Sequence, residues 1–206
     1  MDKKREIIHT VDKIASDVIE LGKKIFGFSE LSYEEYKSSE ALKSFLKASG
    51  FEVVSPAIEE LPTSFIASYG NSDPKIALMA EYDALPEIGH ACGHNLICTT
   101  SIAAAIALKE SGAIEETGGS IVVVGCPAEE RGGAKRVLVE KGVFDDMSAA
   151  LIIHPASMST GFDISYALKT FSIEYFGKPA HAAADPAKGV NALDAVIQMF
   201  NGISAL

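Results

Sequence analysis

Three short stretches carry residues that could do chemistry. The first is "GHACGHN" (Gly89–Asn95), which places Cys92 and His94 two residues apart. On a helix, side chains two apart point in different directions, whereas in an extended or turning backbone they share a side. Gly89 and Gly93 allow such a turn, so Cys92 and His94 can meet one metal ion from a loop. The following helix would favour a thiolate at its N-terminus. Cys92 is therefore a candidate ligand, a candidate nucleophile or simple packing, and many such pairs bind nothing. The second stretch is "CPAEERGGA", where adjacent Glu129 and Glu130 repel each other unless a cation is near. Beside a metal, one carboxylate can ligate while the other takes a proton from water. The plainer reading is a solvated pair on a loop. The third is "LIIHPAS", in which His154 ends an apolar run and Pro155 stops the strand.

Other polar residues have weaker claims. Asp83 in "EYDALP" could orient a ligating histidine, or could make a turn. His181 in "GKPAHAAADP" reads as a loop histidine, and Asn191, three residues before Asp194, as a helix cap. Cys98 and Cys126 read as buried packing.

These residues need elements to position them. Apolar residues from Ile7 to Ile25 recur at helical spacing, and a second helix is expected over about 33–48 with Gly50 as its stop. Short β-rich runs follow at 51–54 and 63–69. Then 75–81, 120–125 and 149–154 read as buried strands, alternating with helices near 95–110 and 133–141. Continuous apolar strands in that rhythm predict parallel pairing with both faces covered, hence an α/β fold whose central sheet is largely parallel. Glu81, Asp83, His90, Cys92 and His94 follow the first of these strands. Cys126, Glu129 and Glu130 follow the second, and His154 the third. All would lie at the carboxyl edge, where open α/β sheets bind ligands.

After 154 the pattern changes. Residues 164–178 partly alternate, as one or two strands would, and Asn191 opens a final amphipathic helix. A boundary near Gly161 divides a catalytic domain, 1–160, from the start of a lid or dimerisation domain, 161–206. The second piece, about 45 residues, is too short to bury much surface alone.

The chain has 206 residues, 48% hydrophobic and 22% charged, so a real core is available. A net charge of −10 argues against nucleic acid as a partner. No run approaches the roughly 18 apolar residues of a membrane span. Three cysteines do not suggest a disulfide framework, and the expected compartment is the reducing cytoplasm.

Five motifs, "AEYDALP", "GHACGHN", "CPAEERGGAK", "IIHP" and "GKPAHAAADPAKGVNALDA", stand in the order found in a large metallopeptidase family. That family includes aminoacylase, carboxypeptidase G and hippurate hydrolase. The cysteine-containing motif resembles its amidohydrolase branch, near aminobenzoyl-glutamate hydrolase and β-alanyl-lysine dipeptidase-like proteins. The resemblance implies cleavage of amide bonds in small N-acyl amino acids or dipeptides by metal-activated water. It implies Cys92, His94, Glu130 and His154 as ligands of two divalent ions, zinc first, with manganese, nickel or cobalt as alternatives. Glu129 would be the general base, Asp83 its supporting carboxylate, His181 an oxyanion contact on the lid and Asn191 a contact to substrate carboxylate. A homodimer through the lid is expected. Two departures bear on the substrate. Met79–Asp83 replaces an Arg-Ala-Asp-x-Asp motif, and Asn95 replaces an aspartate. Full members continue well beyond this length and supply one more histidine, so incomplete ligation and weak activity are expected of the chain as it stands. The competing readings are a cysteine-nucleophile hydrolase and a non-catalytic metal-binding fragment.

Overall fold

The computed structural model describes residues 2–161, 164 and 166–206. It divides into two compact units, Met1–Met158 and Ser159–Leu206.

In the first unit, α1 (Lys3–Phe28) and α2 (Tyr36–Ala48) precede β1 (Glu52–Val54) and β2 (Phe65–Tyr69). Then come β3 (Lys75–Glu81), α3 (His94–Glu110), α4 (Ala113–Thr117), β4 (Ser120–Cys126), α5 (Ala134–Glu140) and β5 (Ala149–Leu151). The strands form one sheet in the order β1-β2-β4-β3-β5. The apolar strands pair in parallel as their composition predicts, β3 with β4 and with β5. Their register sets Glu81 against Cys126, so the two chemical segments leave the sheet side by side. The sheet as a whole is mixed, because β1–β2 and β2–β4 are antiparallel. β1 and β2 are joined by too few residues for a parallel crossover.

β4 is buried along its whole length, whereas β5 is exposed and ends at Leu151, short of the expected His154. β5 is the edge strand, paired on one side only, and Leu78–Leu151 is its last register pair. α3 packs on α1 and on β3 through small side chains: Ala103, Ala105 and Ala107 are buried, and Gly22 of α1 meets Thr99. Ile102, Ile106, Phe65, Tyr82 and Leu46 join one apolar core between the helices and the sheet. This burial, roughly 25 cal/mol per Å² of apolar surface, anchors the strand ends that carry the site.

The second unit contains a 3₁₀ turn at Pro186–Lys188 and α6 (Ala192–Ser204). The strands expected over 164–178 are absent among the described residues; Ser165 of that stretch lies outside them. A strand requires a partner, and the pairing seen here is a single bridge between Lys178 and Val190. Asn191 caps α6, its side-chain oxygen accepting from the Leu193 N–H at 3.1 Å.

Candidate metal centre and active site

The site lies at the carboxyl ends of β3 and β4. His94 opens α3 directly after Gly93, which has φ +76, a conformation glycine adopts without penalty. A Cβ there would also lie 2.9 Å from Pro155 Cγ, so glycine lets the loop after β3 touch the segment after β5. That contact brings His154 beside His94, their rings edge-on with centroids 6.0 Å apart.

His94 is only 1% exposed. Its Nδ1 lies 2.9 Å from the Asp83 carbonyl oxygen and 3.0 Å from Asp83 Oδ1, so Nδ1–H donates and the Nε2 lone pair faces the other way. Asp83 Oδ2 accepts the Ser32 hydroxyl at 2.7 Å and the Glu130 N–H at 3.0 Å. Burial alone would raise the Asp83 carboxyl, but its bonds to His94, Glu130 and Ser32 win and hold it below the usual range. Burial likewise pushes His94 down, and the Asp83 carboxylate more than reverses this, raising it.

Nε2 of His94 faces a ring of carboxylates: Glu81 Oε2 at 3.5 Å, Glu130 Oε1 at 3.7 Å and Glu129 Oε2 at 3.9 Å. Glu81 Oε2 and His94 Nε2 are both buried and neither has a hydrogen-bond partner among the described residues. Two groups of three potential ligand atoms lie within 4.8 Å of one another, Cys92–His94–Glu130 and Glu81–His94–His154. Nε2 has one lone pair, so His94 can serve only one ion at a time. Oxygen, nitrogen and sulfur donors from carboxylate, imidazole and thiol around two orphaned buried atoms fit a divalent cation.

His154 bonds through Nδ1 to the Pro155 carbonyl at 2.8 Å, which leaves its Nε2 free. Burial and the neighbouring Glu81 carboxylate raise Glu129 above its ordinary value, against the pull of Lys135. Lys135 bonds to Glu81 and sits 4.0 Å from Glu129. The Cys92 thiol is pushed up to about 11 by its bond to the Glu130 carboxylate, by burial and by the charges of Glu130, Glu129 and Asp83. The expected thiolate at the start of α3 is therefore absent without a cation, since three carboxylates outweigh one helix end. An open groove of about 520 Å³ alongside is lined by Phe26, His90, Cys92, Leu96, His154 and Pro155.

The structure thus brings together Asp83, Cys92, His94, Glu129, Glu130 and His154. His181 and Asn191 belong to the other unit. There His181 Nδ1 accepts from the Ala183 and Ala184 N–H groups at 3.2 and 3.1 Å, and Asn191 caps α6. Glu81 and Lys135 received no role from sequence. For Glu81 the signal was present, a charged residue closing an apolar strand. Lys135 had none, because its helix reads as an ordinary surface helix. Cys98 and Cys126 are fully buried, as their settings suggested.

Residues 77–205 match peptidase family M20/M25/M40, and the chain belongs to that family. It is 35% identical to Xaa-Arg dipeptidase of Mus musculus, over 98% of this chain and 50% of the relative. It is 39% identical to a p-aminobenzoyl-glutamate hydrolase of Escherichia coli, over 91% of this chain and 42% of the relative. A Bacillus subtilis dinuclear metal-binding peptidase of the M20 family superposes with a TM-score of 0.57 at 26% identity, covering 68% of this chain and 42% of that one. The chain spans about half the length of the curated relatives it matches.

Proposed function

We propose that this chain forms part of a metal-dependent hydrolase that cleaves amide bonds in small N-acyl amino acids or dipeptides. The observation that carries the reading is the pair of buried, unpartnered atoms, Glu81 Oε2 and His94 Nε2, within a ring of carboxylates. Such a ring is costly unless a cation completes it. Cys92, His94, Glu130 and His154 hold the metal in this reading, with Glu81 beside them. A bound dication lowers the pKa of water toward about 7 and polarises the amide carbonyl. Glu129, raised by burial and Glu81, is suited to accept a proton from the attacking water and return it to the leaving amine. Asp83 fixes the His94 tautomer.

Sulfur and imidazole donors favour zinc. The relative described as dinuclear supports two ions, with manganese, nickel or cobalt as alternatives. The relatives named for Xaa-Arg dipeptides and p-aminobenzoyl-glutamate support a small amide substrate. In this reading His181 contacts the oxyanion, Asn191 binds a substrate carboxylate in addition to capping its helix, the second unit pairs two copies, and the protein works in the cytoplasm. No described helix is long and apolar enough to cross a membrane. A cysteine-nucleophile reading gains no support from a thiol held near 11.

Two measurements test the proposal. Mass-spectrometric metal analysis of protein purified without chelator should find zinc or a related ion, lost in His94→Ala. Glu129→Gln in a hydrolysing preparation should keep its metal while turnover falls at least about 100-fold. Unchanged turnover removes Glu129 as the base, and absence of any transition metal removes the site.

A further inference from the structure

We propose that Glu35 is a positioning residue that sets the backbone from which Glu129 and Glu130 reach the site. The inference rests on the metal-centre reading above. Glu35 sits at the turn into α2 and is completely buried, unusual for a carboxylate. Its Oε1 accepts the Ala128 N–H at 2.8 Å and the Tyr33 N–H at 2.9 Å. Its Oε2 accepts the Thr63 hydroxyl at 2.9 Å. The Thr63 carbonyl in turn accepts the Ser39 and Tyr82 hydroxyls, both at 2.7 Å, which ties this acid to α2 and to the end of β3.

Both residues whose N–H groups meet Oε1 are strained. Ala128 has φ 50 and Tyr33 has φ 70, a left-handed conformation that residues with a Cβ rarely adopt. Something must hold them there, and one buried oxygen holds both. The sequence next to Ala128 makes the consequence specific. The Ala128 N–H is tied to Glu35, and the Glu130 N–H, two residues on, is tied to Asp83 at 3.0 Å. Glu129 stands between two backbone bonds to two buried carboxylates. Asp83 orients His94 from one side of the site, and Glu35 aims the adjacent glutamates from the other. The role needs an acceptor oxygen rather than a charge, so Gln can fill it and Ala cannot.

Cobalt(II) titration, followed by the absorption of the thiolate-ligated ion, tests this on the whole chain. Glu35→Ala should bind cobalt at least about tenfold more weakly, with an altered spectrum. Glu35→Gln should stay within roughly threefold of wild type. Adding Ala128→Gly to Glu35→Ala should recover most of the affinity, because glycine takes φ 50 freely. The melting temperature of that double variant should remain low, since the Tyr33 and Thr63 bonds are still missing. A Glu35→Ala variant with wild-type affinity and spectrum overturns the proposal, as does affinity that merely follows melting temperature across all variants. A wild-type chain that takes up no cobalt overturns the metal-centre reading instead. The Ala128 amide then decides for Glu35, as it does where Glu35→Ala fails to fold. Its hydrogen exchange should be slow in wild type and Glu35→Gln, and exchange at the rate of an open loop overturns the proposal.

Discussion

Replacing Asp83 with Asn changes one oxygen into an NH₂ group and sets three donors against an acceptor that can satisfy only some of them. Asp83 now takes the His94 Nδ1–H on Oδ1, and the Ser32 hydroxyl and Glu130 N–H on Oδ2. If the new NH₂ faces Ser32, the hydroxyl can turn, but the Glu130 N–H loses its partner. A buried unpaired N–H costs about 1–3 kcal/mol, and a hydrogen bond to a charged group contributes about 1.5–3 kcal/mol. The loss in the metal-free protein should therefore be on the order of 3 kcal/mol. If the NH₂ faces His94 instead, the imidazole must move its proton to Nε2 and gives up the lone pair that meets the metal. Either way zinc affinity should fall about 10- to 100-fold.

The pH dependence has a definite sign. Asp83 is held below its ordinary 3.8, so its contribution is present above that value and lost as pH falls through the lowered one. His94 is raised above its ordinary 6.5, so its contribution is present below 6.5 and lost as pH rises through the raised value. Wild type should therefore exceed Asp83→Asn most between those two ordinary values. Urea unfolding in chelator at pH 3, 5.5 and 9, with zinc affinity from competition against a chromophoric chelator, measures both effects. A variant within about 0.5 kcal/mol of wild type at pH 5.5 that also keeps its zinc affinity refutes the reasoning.

Two further outcomes follow from the same geometry. Ile102→Ala, in the core between α3 and the sheet, should cost about 2–5 kcal/mol in urea unfolding; a loss under 1 kcal/mol would mean that α3 does not pack as described. In chelator at pH 7.5, Cys92 should react with a thiol reagent more slowly than free cysteine, because its thiol is held up near 11. Faster reaction would restore the nucleophile reading.

Several features were legible in the chain because they depend on local pattern. The continuous apolar runs at 75–81 and 120–125 announce buried strands, since parallel strands covered on both faces admit few polar residues. The helical stripe of α1 and the stop at Gly50 are legible for the same reason. So is the cluster of chemical residues at strand ends, because parallel strands must finish on one edge. The antiparallel joining of β2 to β4 left no such trace, as strand order depends on partners distant in sequence. Nor did the short β5, whose length is set by where its neighbour stops offering hydrogen bonds. Glu35 was invisible: in "SYEEY" it looks like any acidic residue before a helix, and only the return of Ala128 to its side makes it a buried acceptor.

By itself, then, the sequence determined the residue types able to bind a metal, their spacing within each loop, and the strands that would carry them. These are properties of contiguous segments. Tertiary structure alone decided which tautomer His94 holds, that Cys92 stays a thiol, that Glu81 leaves an oxygen unpaired beside His94, and that Glu129 is pinned from both sides. Each of these depends on the field and hydrogen bonds that distant segments create only when they meet.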